Sequence, residues 1–386
     1  MRDRRSGASK LRPLVLISGL ATGGAERVTV SFVRRLVRKG TQVAVCTVTA
    51  RHDGALAVEL SEAEVKRHDL RARRLADPLA LLRLVRLLRR EAIGLVHAHG
   101  QDASILGAAA QLVTQVPLVV TRHVLDEPSA NWRQRLRGRL ALAAARRAVA
   151  VVAVSAAAAD RLAEAARLPR GSIRVIPNGV DLERFGAARA AANRAALRRS
   201  LGIRANEPLV LVPAVLRDGK GHDVLIRALP ALKARVPSLR VAFAGGGERA
   251  AALRAQAQPY ADTLLFLGPR DDMPELLAAC ELVVLPSLAE ALPTALIEAA
   301  AAGRAVVATK VGGAVEVVED EHTGLLVPPA DAEALAVAVA TLLCDPERAR
   351  ALGAAARRRA EQRFDLDLQV QRTLELWTEA AGARRP

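Results

Sequence analysis

The chain has 386 residues, 51% of them hydrophobic, enough to bury two full cores, so two domains of ordinary size are expected. Aromatic residues make up only 2%, which leaves little to stack on bases and argues against single-stranded nucleic acid as a partner despite a formal charge of +17. The three cysteines, Cys46, Cys280 and Cys344, have no metal-ligand spacing and leave one thiol over in any disulfide scheme, which suits a reducing, cytoplasmic compartment.

At the start of the chain, Arg2, Arg4, Arg5, Lys10 and Arg12 precede an apolar run at 14–21, an arrangement that imitates an export signal. The run is short, and Gly23-Gly24 ahead of a helix-like segment reads as a first strand followed by its loop. Strands are then predicted near 14–18, 42–48, 94–97, 117–121, 151–155 and 172–176, and in the second half near 208–213, 239–244, 263–266, 281–285, 304–308 and 324–327. Helical segments separate them, the pattern of parallel sheets with crossover helices. The fold class is therefore α/β, two Rossmann-like domains with their ligand in a cleft between them, since such sheets bind beyond the carboxyl ends of their strands. The turn sequence Pro177-Asn178-Gly179-Val180-Asp181 marks the boundary. It gives a first domain over 1–185, a linker to about 206, a second domain over 206–364, and a terminal helix over 365–386 packing back on the first. No stretch reaches about 18 uninterrupted apolar residues, so no spanning helix is expected.

Charge divides with the domains: residues 1–200 carry 36 Lys and Arg against 16 Asp and Glu, whereas residues 201–386 carry 21 against 24. A basic first half suits an anionic membrane surface, with 78–90 and 132–139 as the candidate contacts, although an ordinary crossover helix also explains the former and an Arg-rich genome the excess itself.

The chemistry-bearing residues fall where strands end. Gly23 and Gly24 open a helix and bring bare N–H groups to a phosphate or acceptor, without the G-x-G-x-x-G spacing of a dinucleotide site. His97, His99 and His123 each follow a strand-like run. His123 is the best placed to touch a reacting sugar, and His97 and His99 read as structural. Arg217 and Lys220 stand in a loop before a helix, positioned to clamp a diphosphate. Gly245-Gly246-Gly247 and Gly312-Gly313 permit close backbone approach or make tight turns. Glu290 and Glu298 lie eight positions apart, with Pro293 suited to the first helical position and Thr294 behind it. Glu298 then lies roughly 7 to 8 Å beyond the helix start, at about 1.5 Å per residue, so two carboxylates flank a helix N-terminus that favours phosphate. That combination describes a sugar-nucleotide site. Asp365-Leu366-Asp367 reads as capping and surface charge, and no metal site emerges.

With these residues in place, the chain resembles the retaining glycosyltransferases of GT-B fold, family 4. The resemblance rests on Gly23-Gly24-Ala25-Glu26-Arg27, His123, Ile176-Pro177-Asn178-Gly179-Val180-Asp181, Lys220-Gly221 and the E-x7-E pair of Glu290 and Glu298. It implies transfer of a hexose from a nucleoside diphosphate sugar to the hydroxyl of a lipid-linked or saccharide acceptor, with retention, without a metal or cofactor, at the inner face of the cell membrane. It implies catalytic roles for Glu290, His123 and Lys220, with Glu290 on the donor sugar's hydroxyls and Glu298 on the ribose. Lys220, Pro293, Thr294 and Gly246 would hold the rest of the donor. Many relatives carry Gly-Arg-Leu where this chain has Ala214-Val215-Leu216, which leaves Arg217 to supply the diphosphate charge. Two other readings compete: a sugar-nucleotide epimerase on the same scaffold, and a basic polyanion-binding protein, which would leave the glutamate spacing unexplained.

Overall fold

The computed structural model describes residues 11–20, 23–49, 54–72, 77–123, 131–186 and 194–382. Arg2, Arg4, Arg5, Lys10 and part of the expected linker lie outside them. The chain divides into two compact units, residues 1–179 with 366–386, and residues 180–365.

In the first unit the order is β1 Pro13–Ile17, α1 Gly24–Arg38, β2 Ala44–Thr47, α2 Ala55–Glu62, β3 Lys66–Asp69, α3 Pro78–Arg90, β4 Leu95–His99, α4 Gln101–Thr114, β5 Leu118–Arg122, α5 Trp132–Arg147, β6 Ala150–Ala153, α6 Ala156–Ala166 and β7 Ile173–Val175. All pairs are parallel, in the order β3-β2-β1-β4-β5-β6-β7. The apolar run after the basic N-terminal residues forms β1, an internal strand whose five residues are all buried. Strand β3 was not visible in the sequence: Lys66-Arg67-His68-Asp69 is polar throughout, because an edge strand half open to water needs no apolar side chains.

The second unit runs α7 Arg194–Ser200, β8 Leu209–Val212, α8 His222–Arg235, β9 Arg240–Ala244, α9 Ala250–Gln256, β10 Leu264–Gly268, α10 Met273–Ala279, β11 Leu282–Leu285, α11 Thr294–Ala301, β12 Ala305–Thr309, α12 Ala314–Val317, β13 Leu325–Val327, α13 Ala332–Cys344 and α14 Pro346–Arg363, ahead of the terminal helix α15 Leu366–Gly382. Its sheet is also parallel, in the order β10-β9-β8-β11-β12-β13. The core is built from Val210, Val212, Val241, Phe243, Val284 and Val307 on the strands and Leu225, Leu229, Leu335 and Val339 on the covering helices.

The unit begins at Val180 rather than 206. The stretch expected as linker contains α7, anchored by buried Arg198, whose guanidinium bonds to Ala279 O at 2.8 Å, Glu281 Oε2 at 3.1 Å and Arg204 O at 2.9 Å. A polar, Ala-rich composition concealed that anchor. Helix α15 belongs to the first unit. Its Trp377 is fully buried and meets Phe32 edge-on at 5.9 Å, and Asp367 pairs with Arg35 at 3.0 Å and Lys39 at 3.3 Å.

Candidate functional site

Each sheet has one place where the chain reverses its winding direction: between β1 and β4 in the first, and between β8 and β11 in the second. Loops leaving the carboxyl ends of such neighbouring strands diverge and open a crevice. The candidate residues collect at these two places or on the strands beside them.

In the second unit, the loop after β8 carries Lys220 and the loop after β11 carries Glu290, and Lys220 Nζ donates to Glu290 Oε1 at 2.6 Å. Both side chains are largely buried, at 17% and 10% exposure, so the pair is screened from water and each charge compensates the other. Backbone contacts lock the loops together. Leu288 N–H donates to Gly219 O at 2.8 Å, Gly313 N–H donates to Glu290 O at 3.0 Å, and Thr309 Oγ1 donates to Ser287 O. Gly221 has φ +67°, and a Cβ there would lie 1.9 Å from Pro286 O; one at Gly313 would lie 2.0 Å from Ala291 O. These glycines allow two loops to touch, which explains why the strand ends are rich in them.

The same holds for Gly245-Gly246-Gly247: Gly246 O accepts from Leu216 N–H at 2.8 Å, and Cβ atoms at Gly245 and Gly247 would collide with Ala214 O and Leu216 O. Gly246 is thereby tied to the loop that bears Arg217. Arg217 is exposed, and its guanidinium has no hydrogen bond or ion pair among the described residues. Pro293 is the N-cap of α11, with φ −73° and ψ 103°, and not its first helical residue. An extended ψ at Pro293 shifts the helix start to Thr294, whose N–H stands with that of Ala295 outside the helical ladder. Glu298 sits half-buried inside α11, between buried Ile297 and Ala299.

In the first unit, a cavity of about 310 Å³ is lined by Ile17 and Ser18 at the end of β1, Glu26 on α1, His99 at the end of β4, and His123 and Arg122 at the end of β5. Gly23 is the extended N-cap of α1, and a Cβ at Gly24 would meet nothing within 4 Å. Burial raises the Glu26 carboxyl above its ordinary value. Arg137, also at the cavity, is held by two bonds of 2.6 Å to Asp102.

The three histidines form a series. Trp377 Nε1–H donates to His97 Nδ1 at 3.1 Å, and His97 Nε2 lies 2.7 Å from Thr121 Oγ1. An indole only donates, so His97 Nδ1 is the acceptor and its proton is on Nε2, directed to Thr121. Burial pulls His97 down to about 3, which keeps the ring neutral. His99 packs on His97 with ring centroids 4.2 Å apart, and its Nδ1 is 2.8 Å from His123 Nε2. Burial also holds His99 well below its usual range and, with the Arg122 charge, brings His123 to about 4. His97 is thus a satisfied structural residue. His99, read as structural from the sequence, shares the cavity with His123, and the two-residue spacing of His97 and His99 on one strand gave no sign of the difference.

Among the described residues, no group of three or more His, Cys, Asp or Glu could hold a metal ion, and no helix is long and apolar enough to cross a membrane.

Residues 22–184 match the family model for Glycosyltransferase Family 4, and residues 193–359 match that for Glycosyl transferases group 1. A D-inositol 3-phosphate glycosyltransferase of Saccharomonospora viridis is 31% identical, with 91% of this chain and 88% of that protein covered. A GDP-mannose-dependent alpha-(1-6)-phosphatidylinositol monomannoside mannosyltransferase of Mycolicibacterium smegmatis is 35% identical over 56% of this chain and 59% of its own length. Among solved structures, Anabaena HepE in complex with UDP-glucose superposes with a TM-score of 0.85 at 28% identity, covering 96% of this chain and all of that one. The architecture of two parallel sheets with flanking helices is the GT-B fold.

Proposed function

Because the chain belongs to glycosyltransferase family 4, we propose that it moves a hexose from a nucleoside diphosphate sugar to an acceptor hydroxyl with retention at the anomeric carbon, in the assembly of a glycolipid or cell-surface polysaccharide. The observation that carries this reading is the Lys220–Glu290 pair at the β8–β11 reversal, with the start of α11 following Glu290. A donor's sugar hydroxyls would take Glu290, and its diphosphate would take Lys220 and the exposed Arg217. As the diphosphate departs it gains negative charge, so these cations favour the transition state over the bound donor. The Thr294 and Ala295 N–H groups add a donor pair for phosphate, and Glu298 is assigned to the ribose. Charge neutralisation by Lys220 and Arg217 removes the need for a metal, and no cofactor is assigned.

The acceptor side is assigned to the first unit, with Gly23, Gly24 and His123. The relatives named for phosphatidylinositol and inositol phosphate chemistry support a lipid-linked or polyol acceptor. We place the enzyme at the cytoplasmic face of the cell membrane, held there by the basic first half. Incubation with a panel of UDP-, GDP- and ADP-sugars and candidate acceptors, read by mass spectrometry with and without EDTA, tests the reading. Glu290→Gln and Glu298→Gln should each lower turnover by about 100-fold or more. Unchanged turnover in both, or a product with inverted anomeric configuration, would remove the assignment.

A further inference from the structure

Among the described residues, His99 Nε2 and His123 Nδ1 are buried without a hydrogen-bond partner, and both residues line the first unit's cavity. An unsatisfied buried polar atom is a net cost to folding. Packing alone does not require that cost, since His97, two residues away on the same strand, has both ring nitrogens satisfied by Trp377 and Thr121. The two open nitrogens belong to rings already joined through their inner atoms, His99 Nδ1 and His123 Nε2, at 2.8 Å.

One proton lies between two inner nitrogens, so a neutral pair has only two arrangements. With His99 Nδ1 as donor, His123 carries its proton on Nδ1 and His99 Nε2 is bare. With His123 Nε2 as donor, His99 carries its proton on Nε2 and His123 Nδ1 is bare. In both, the pair keeps one N–H and one acceptor nitrogen outside its own hydrogen bond, and the state of one ring dictates that of the other. A hydroxyl group, which donates and accepts at once, is the complementary ligand. His99 cannot turn away, because His97 packs on it at 4.2 Å and is itself pinned by Trp377.

Resting on the sugar-transfer reading above, we propose that His99 is a positioning residue: through its Nδ1 it holds His123 in one tautomer and orientation, so that the two rings together engage a hydroxyl of the acceptor or the transferred sugar.

The test is ¹⁵N imidazole NMR of the full chain, with the two rings assigned by single substitutions, alongside steady-state kinetics. Wild type should show a scalar coupling across the His99–His123 hydrogen bond and one dominant tautomer for each ring. His99→Leu should mix the His123 tautomers and lower kcat by about 10- to 100-fold with the donor KM little changed. His99→Asn, which restores a polar atom near the Nδ1 position, should recover most of the loss and shows that a fall in the Leu variant is not unfolding. A wild-type spectrum without the coupling, or a Leu variant with unaltered His123 signals and kcat, overturns the proposal. A chain that shows the coupling but transfers no sugar overturns the proposed function and leaves the pairing standing.

Discussion

Lys220 Nζ lies 2.6 Å from Glu290 Oε1, joining two loops 70 positions apart in a largely buried ion pair. Removing one partner strands the other charge. Lys220→Met should therefore lower stability by about 1–3 kcal/mol in urea titrations and abolish donor turnover. The double variant Lys220→Met with Glu290→Gln should recover part of the stability and none of the turnover. Equal stability in the single and double variants would show that the pair is too solvated to matter.

The approach of these loops depends on Gly221. Its φ of +67° and the 1.9 Å separation of a built Cβ from Pro286 O leave no room for a methyl group. Gly221→Ala should cost more than about 2 kcal/mol. Gly219→Ala, at φ +80° but with nothing near its Cβ, should cost only about 1 kcal/mol. Thermal denaturation of the two variants side by side checks the contrast.

Acid should destabilise the fold through its buried histidines. Burial lowers His97 to about 3, and His123 and His222 to about 4, against about 6.5 when unfolded. Between those values the unfolded chain binds more protons, so the stability these rings contribute is complete above about pH 6.5 and is lost as pH falls toward 4. Each contributes a slope of at most about 1.4 kcal/mol per pH unit. His222→Leu should flatten the measured stability between pH 4 and 6 by about one proton, and an unchanged slope would mean that His222 charges in the folded state.

Helix α5 shows Trp132, Leu136 and Leu140 at four-residue intervals on an exposed stripe, between exposed Arg133, Arg135 and Arg139. An apolar stripe edged by arginines fits the interface of an anionic bilayer. Glutamate at all three arginines should reduce sedimentation with phosphatidylglycerol vesicles at low salt while leaving turnover on a soluble acceptor intact. Equal sedimentation of variant and wild type would remove α5 from the membrane reading. Helix α3 buries Leu84, Val85, Leu87 and Leu88 as an ordinary crossover helix does, and is the weaker contact.

The twelve strands read from the sequence all form, because a buried parallel strand is a short apolar run and any one run announces itself without reference to the rest. Edge strand β3 and helix α7 escaped for the opposite reason: what holds Lys66–Asp69 and Arg198 is a neighbour far along the chain, not their own composition. The loop positions of Lys220, Glu290 and His123 at strand ends were equally local and equally legible.

Which of those residues meet was decided by the sheets. The winding reversal places β8 beside β11, and only then does Lys220 reach Glu290; the pairing of β4 with β5 likewise brings His99 to His123. Trp377 reaches His97 across 280 positions because helix α15 packs against β4 and β5. Periodicity and turn chemistry are properties of a few consecutive residues, and the sequence alone determined them. The partner of a buried polar atom depends on which strands become neighbours, and that exists only in the folded chain.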